Sequence, residues 1–527
     1  MSEKGFIDFQ NFEKALQEKG VELSSSELSA ILELINLRFD EVISKSEQQA
    51  ESFARTITEL NKTIASLNDV IETLKGKNNR NASNSNKPSS WDHFSKPNPK
   101  PSSINSGDGG SIKKSSGGQK DHSGTTMKVQ DTPDRVENLY PHKCFGCVRF
   151  AECLARASEK TARTVVDVEV RTIQTEYRQM SLCCPIDGTE QCGRFPAFAK
   201  STFQYGPTDN AIVTELSSDG SVGMHKISTF MDDAFGIRMT DGTVSNIIGK
   251  CSDLSESLVE RFKDTFAEVH IAHIDETGCR IQKKNGWLHI AASRRFSVFG
   301  FHKNRGDKGI KALGVYDRMK DPSQVAVTDF WGSYLKIDAQ YPKKHAFCGA
   351  HLDREIQNLI DNFGNPACAR KMKKLMKSAY VEVQELKGKG MTEAPQSLLD
   401  EVSEKYDKIV TAALNRHKPP KKTNKRGRPG KGTIRALFER FRDYKEGVLM
   451  FLHDFEVPFS NNQAERAARG MKTKLKVSGC FRSEEGAKAF CNIKSLMDTC
   501  RKHGLNHFEV LQDLFSGKNI SGQFCLQ

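Results

Sequence analysis

Two short apolar runs, each leading into an aspartate, restrict the fold of this chain more than any other feature. Val269-His-Ile-Ala-His-Ile274 runs into Asp275, and Val325-Ala-Val-Thr328 runs into Asp329. Apolar runs of this length, flanked by polar residues, read as buried strands. Between them lie two more strand-like runs, Trp287 to Ala292 and Phe296 to Phe301, with Asn285-Gly286 as a hairpin turn signal. Ile310 to Tyr316 reads as a helix or a connector. His345 to Ala350 is a fifth run, and a helix begins near His351.

Three consecutive strands, a connection, and a parallel strand ending in an acid follow the order of an RNase H-like sheet. Its first and fourth strands are neighbours, so Asp275 and Asp329 are expected side by side. Like charges that close repel and raise a pKa, unless a divalent cation removes the difficulty. Magnesium prefers oxygen ligands and keeps some of its waters. Two such ions about 3.5–4 Å apart can activate an attacking hydroxyl and stabilise the leaving oxygen of a phosphodiester. That chemistry needs a third carboxylate, and Glu465 in Asn461-Asn-Gln-Ala-Glu-Arg-Ala467 is the candidate. A second reading stands beside it. With Asn462 as N-cap, Glu465 at N3 completes a capping box and pairs with Arg469 one turn on.

Lys and Arg outnumber Asp and Glu by 79 to 66, a formal charge of +13, which favours an anionic partner such as nucleic acid. No segment approaches the roughly 18 consecutive apolar residues of a membrane helix, and Met1 to Gln10 lacks a signal peptide's apolar core. A cytoplasmic location without membrane contact is therefore expected, where the 14 cysteines stay reduced. Clustered cysteines then suggest metal. Cys144 and Cys147 form a C-x-x-C pair, and Cys183 and Cys184 are preferred to complete a structural Zn2+ site, with Cys153, His142 and Cys192 as substitutes. The alternative is a set of free thiols. Thr164 to Gln174, between the two groups, alternates apolar and polar residues like a strand.

From Leu32 to Leu74 a heptad repeat places Asn36, Ile43, Ala50, Ile57, Ile64 and Ile71 at a, and Leu32, Phe39, Ser46, Phe53, Leu60, Leu67 and Leu74 at d. Ile at a with Leu at d favours a parallel two-stranded coiled coil, hence a homodimer or higher oligomer; a helix folded back on its own chain is the alternative. Ser228 to Cys251 reads as two short helices about Gly236, either a helix-turn-helix or an ordinary helical pair. Lys418 to Lys431 is nearly all basic residues, Pro and Gly. Lys425 and the Arg426-Gly-Arg428 element suit a narrow minor groove, while Arg466, Arg469, Lys472, Lys474 and Lys476 follow Glu465. The alternative for the basic loop is solvated surface charge, and several of the residues after Glu465 are expected to be ordinary surface charges.

The chain resembles transposases of the bacterial insertion-sequence-66 family, which are DDE transposases with an RNase H-like core. The likeness rests on Asp275-Glu-Thr277, Trp287-Leu-His289, Asp329 with Tyr334, Cys348-Gly-Ala-His351 with Arg354, Asn461 to Ala467, and the tail Ser495-Leu-Met-Asp-Thr499 with Gly504-Leu505. It implies Asp275, Asp329 and Glu465 as catalytic acids that hold Mg2+ or Mn2+, double-stranded DNA (element ends and target) as substrate, and small companion proteins. The family often shows two C-x-x-C pairs where this chain has one.

The expected organisation is an α/β core interrupted by a helical insertion. A helical coiled-coil region spans 1–75, a disordered basic linker 76–135, a cysteine-bearing module 136–205 and a helix-turn-helix-like segment 206–265. The core's first part follows at 266–355, the insertion at 356–455, and the second part with C-terminal helices at 456–527. A non-catalytic DNA-binding repressor and a nuclease without strand transfer would share these residues.

Overall fold

The computed structural model describes residues 9–21, 23–78, 132–338, 340–341, 343–419 and 432–524. They fall into two compact units, residues 1–94 with 357–366, and residues 95–356 with 367–527. No described helix is long and apolar enough to cross a membrane.

The first unit holds α1 (Phe9–Gln17) and α2 (Ser25–Asn78). Ser24 starts α2 with a capping box: Glu27 N–H donates to Ser24 Oγ at 3.4 Å, and Ser24 N–H donates back to Glu27 Oε2 at 3.0 Å. The 54 residues of α2 make a rod roughly 80 Å long. Phe39, Ile43, Phe53, Ile57, Leu60, Ile64 and Leu67, all a or d positions, lie exposed along it. The periodicity therefore predicted the helix, and its apolar stripe is uncovered over these residues.

The second unit begins with the short helix α3 (Phe150–Leu154) and a hairpin of β1 (Ser181–Cys183) and β2 (Glu190–Cys192). Thr164 to Gln174 is no strand. It has no ladder partner among the described residues, and Val165, Val166, Val168 and Val170 stand in solvent. Alternation alone does not make a strand where no sheet exists to pair with it.

Three helices follow, α4 (Pro207–Ser218), α5 (Met224–Phe235) and α6 (Asp241–Asp264). The chain breaks at Gly236 as predicted and restarts where Thr240 Oγ1 accepts the Thr243 N–H. The second helix is not short, however. It runs for 24 residues because Val244, Ile248, Cys251, Ser255, Leu258 and Phe262 keep a buried stripe going at helical spacing.

The sheet contains β3 (Ile271–Ile281), β4 (Lys284–Ala292), β5 (Ser297–His302), β6 (Val325–Thr328) and β7 (Lys344–Phe347). Two short helices interrupt it in sequence, α7 (Asp307–Ala312) before β6 and α8 (Gly332–Asp338) after it. The spatial order is β5-β4-β3-β6-β7. The first three strands pair antiparallel, while β6 runs parallel to β3 and β7 parallel to β6. The first and fourth strands of this sheet are thus neighbours, as the order of runs required.

Two details differ from the sequence reading. β3 does not stop at Asp275 but continues to Ile281. The hairpin turn is Gln282-Lys283, both at positive φ, and Asn285-Gly286 lies inside β4 opposite Arg280 and Cys279. Gly286 serves packing: a Cβ there would lie 2.7 Å from the Phe301 ring and 3.2 Å from Cys279 Sγ.

The chain then passes through α9 (Gly349–Asn362), α10 (Ala367–Gly388), α11 (Gln396–Arg416), α12 (Thr433–Asp443) and α13 (Lys445–His453). It closes with α14 (Asn462–Ser478), α15 (Glu484–Lys502) and α16 (His507–Phe515). One sheet face, carrying Ala272, Ile274, Ala291, Val298 and Ala326, shares a core with α6, α15 and α16. On the other face Cys279, Ile281, Leu288, Ile290 and Phe299 meet Ala467, Ala468 and Met471 of α14. Strand alternation puts Asp275 and Asp329 on this second face, with α14.

The junction of β7 with α9 is close-packed. Gly349 N–H donates to the Phe459 carbonyl at 2.7 Å, and a Cβ on Gly349 would lie 2.3 Å from the Phe459 ring. That ring is held by Tyr380 and Phe451 and cannot step aside. Gly349→Ala is expected to destabilise the protein by about 1–3 kcal/mol through overpacking. Urea unfolding checks this, and an unchanged midpoint would show that the junction yields.

Candidate active site

The β3–β6 ladder pairs Ile271 with Val325, Ala272 with Ala326 and His273 with Val327, a constant offset of 54. The same offset puts Asp275 level with Asp329 (275 + 54 = 329), two residues past the last ladder pair. Adjacent strands are about 4.8 Å apart. Two carboxylates therefore meet on one face where the parallel ladder ends. Burial, then the charges of Glu276 and Asp329, push Asp275 up to about 8. Burial and Glu276 push Asp329 up to about 7, although Arg305 and the Trp331 N–H, 3.2 Å from Oδ1, draw it back.

Glu276 follows Asp275 on β3 and points to the opposite face. Its side chain is 1% exposed and accepts Arg305 Nη2 at 2.7 Å and Nε at 2.9 Å. Tyr334 from α8 donates its hydroxyl to the other oxygen. The Arg305 guanidinium lies over both Trp287 and Trp331, 4.8 and 4.1 Å from the ring centroids. A fourth acid beside the aspartates is thus neutralised by a cation clamped between two indoles.

Asn461 fixes α14 to this sheet. Its Nδ2 donates to the Ile274 carbonyl at 2.9 Å, and its Oδ1 lies 2.9 Å from His273 Nδ1. An amide oxygen only accepts, so His273 Nδ1 carries the proton, and burial, which lowers the His273 pKa to about 4, keeps the ring neutral. The Asn461 N–H reaches Cys348 Sγ at 3.2 Å. One residue therefore ties the helix start to β3 and to the end of β7. Asn461 is the N-cap, with no side-chain capping bond, and its carbonyl takes the Glu465 N–H at 3.1 Å. This overturns the capping-box alternative: Glu465 lies one position deeper, and its ion-pair contacts are His351 at 3.8 Å and Arg354 at 4.0 Å. Lys472 acts on Asp275 and His351 alike, so the aspartates and the Glu465 surroundings share one neighbourhood.

A family model described as "Transposase IS66 family" matches residues 204–489. The chain belongs to that family. Membership of this group of DDE transposases carries with it the use of a divalent metal ion. The matched span contains Asp275, Asp329, Glu465, Asn461, Glu276 and Arg305, while the cysteine-bearing segment lies outside it. An uncharacterised protein of Sinorhizobium fredii, y4jO, is 25% identical over 175 residues, covering 32% of this chain. The match spans 47% of that protein's length, about half.

Of the basic residues predicted to meet DNA, Arg466, Arg469 and Lys472 are exposed on α14, and Lys472 shares the helix face of Glu465. Lys474 is engaged elsewhere: its ammonium donates to the Ser217 carbonyl at 2.8 Å. Lys425, Arg426 and Arg428 lie outside the described residues. Cys144, Cys147, Cys183 and Cys184 are not joined in a disulfide. Among the described residues, no group of three ligand atoms within 4.8 Å includes any of them, nor Cys153, His142 or Cys192.

The sequence reading gave no site role to Glu276, Arg305 or His351, and took Asn461 only as part of a helix start. Three of these stand inside quoted motifs, at 276, 461 and 351. Arg305 carried no signal, because its role comes from packing between indoles far apart in the chain.

Arg305→Ala is expected to cost about 2–4 kcal/mol, since Glu276 would stay buried without its cation, and Glu276→Gln in the same chain should recover most of that loss. Chemical unfolding of both variants checks it. The aspartates predict a pH dependence. Their folded pKa values lie above the unfolded value of about 4, so the metal-free folded state holds more protons between that pH and about 8. Their contribution is present in full below the unfolded value and is lost as pH rises through about 7 to 8. In chelator, Asp275→Asn should flatten this decline in Tm, whereas Mg2+ at pH 8 should raise Tm for the natural sequence and not for Asp275→Asn.

Proposed function

We propose that the chain is a DNA transposase whose RNase H-like core cleaves the ends of an insertion element and joins them to target DNA. The observation that carries this reading is the level placement of Asp275 and Asp329, both raised above the ordinary carboxylate range by burial and by Glu276, with Glu465 on the helix that Asn461 ties to β3. Their all-oxygen donor set and raised pKa values fit Mg2+ or Mn2+, which these three carboxylates would hold. The ion, when bound, supplies activation of the attacking hydroxyl and neutralisation of charge on the phosphodiester.

The chain's own residues do the positioning. Asn461 fixes the approach of α14 to β3, and Arg305 keeps Glu276 from competing for the cation. Arg466, Arg469 and Lys472 line the exposed face of α14 where a phosphate backbone would pass. The basic stretch with Lys425, Arg426 and Arg428 would extend that contact. In the first step water displaces the element end from flanking DNA and leaves a 3′ hydroxyl; in the second that hydroxyl attacks a target phosphodiester. Two ends must be held together for this, and the exposed heptad stripe of α2 suits a parallel dimer. A structural Zn2+ held by the cysteines at 144–192 would have to draw them together, since no three of them are grouped among the described residues.

The test is an assay with full-length protein, Mg2+ or Mn2+, and labelled DNA carrying the element's own ends. Asp275→Ala, Asp329→Ala and Glu465→Ala should each lower cleavage and joining by at least about 10²–10³-fold while end binding persists. Binding without cutting would favour a repressor, and cutting without joining a nuclease. An active Glu465→Ala would remove the third acid from the site.

A further inference from the structure

The first turns of α9 and α14 meet at a second donor set. Cys348 Sγ, a His351 ring nitrogen and a Glu465 carboxylate oxygen lie within 4.8 Å of one another. Cys348 is 1% exposed, and the His351 side chain is 13% exposed. His351 Nδ1 and Glu465 Oε1 face each other at 3.8 Å. Both atoms are buried, and neither has a hydrogen-bond partner among the described residues.

That spacing is too long for a hydrogen bond, which would close to about 2.7–3.2 Å. It is near what one shared ion imposes. Metal–ligand bonds of about 2.0–2.2 Å at a tetrahedral angle separate nitrogen and oxygen by about 3.4 Å. Two orphaned buried atoms at this distance, with a thiol beside them, form an opening for a cation.

The chemistry of the set differs from that of the aspartate pair. Sulfur and imidazole nitrogen select zinc-like ions, whereas all-oxygen sets suit magnesium. The surroundings agree. The Asn461 N–H, 3.2 Å from Cys348 Sγ, donates to the sulfur and would stabilise a thiolate. Arg354, 4.0 Å from Glu465 Oε1, offsets the excess negative charge of two anionic ligands. Three protein donors leave a fourth position for water or a substrate oxygen.

We propose that Cys348, His351 and Glu465 bind a thiophilic divalent cation, Zn2+ in the first instance, at a second site that adjoins the aspartate pair through Glu465. Glu465 is common to both, so a cation here fixes the orientation of the third acid. Binding at this site does not depend on the transposase reading.

The test measures metal content and uses no DNA. Full-length protein is equilibrated with Zn2+ alone, freed of loose metal by a weak chelator, and its zinc per chain counted by mass spectrometry. The cysteines at 144–192 are also potential ligands, so the comparison is between variants. Cys348→Ser, His351→Gln and Glu465→Gln should each lower the count by one ion relative to the natural sequence, whereas Cys144→Ser should retain that ion. Circular dichroism establishes which variants are folded. Should Cys348→Ser fail to fold, Glu465→Gln, which keeps the side chain's shape, decides the matter. An unchanged zinc count in folded His351→Gln and Glu465→Gln overturns the proposal.

Discussion

The arrangement of this site depends on the three hydrogen bonds of Asn461. A buried asparagine is tolerable only when its polar atoms are satisfied, and here a strand carbonyl and a neutral imidazole on β3 meet both ends of the amide. The backbone N–H of the same residue reaches the thiol that ends β7. The helix that follows cannot rotate or slide without breaking one of these bonds in a low-dielectric interior, where a broken bond leaves a buried orphan. Glu465 lies one helical turn beyond Asn461, so its position is inherited from a polar clamp rather than from its own contacts. That explains how an acid can sit with a buried oxygen that has no hydrogen-bond partner among the described residues.

The same region concentrates negative charge. Asp275 and Asp329 each raise the cost of ionising their neighbourhood, and Glu276 acts on both from the other face of the sheet. A fold selected for stability alone would not place three carboxylates there. The protein instead divides them. Glu276 receives a permanent cation, Arg305, held by two indoles, and Tyr334 takes its remaining oxygen. Among the described residues the two aspartates have no side-chain ion-pair or hydrogen-bond partner of this kind; Arg305 acts on Asp329 only through its charge. The paired acid and the two aspartates beside it thus differ in their electrostatic surroundings.

Much of this was legible in the sequence where a single physical rule decides. Apolar runs located all five strands of the main sheet, and their order fixed which strands could be neighbours. The heptads located α2. Failures came where one pattern has two causes. Asn285-Gly286 is a turn signal, yet Gly286 is there to admit the Phe301 ring and the turn falls at Gln282-Lys283. Thr164 to Gln174 alternates like a strand but has no ladder partner among the described residues. Asn462 and Glu465 fit a capping box, but the neighbouring Asn461 caps the helix and directs its side chain to β3. No local rule reports on an Arg305–Glu276 pair 29 residues apart, or on an Asn461–Ile274 bond spanning 187.

The long gap between Asp329 and Glu465, 136 positions (465 − 329), would seem to work against a compact site. The structure resolves this at β7. That strand ends beside β6, where the Cys348 N–H donates to the Thr328 carbonyl at 2.9 Å, one residue before Asp329. The returning chain docks at the same place, through the Phe459 carbonyl on the Gly349 N–H and the Asn461 N–H on Cys348 Sγ. Helices α10 to α13 thus leave and re-enter the core at two adjoining residues of one strand end. Loop-closure entropy grows only as the logarithm of length, so an insertion anchored in this way adds little penalty for its size. The helices can therefore vary in length while the three acids keep their geometry, because what holds Glu465 is the anchor at Cys348 and Gly349 and not the path taken to reach it.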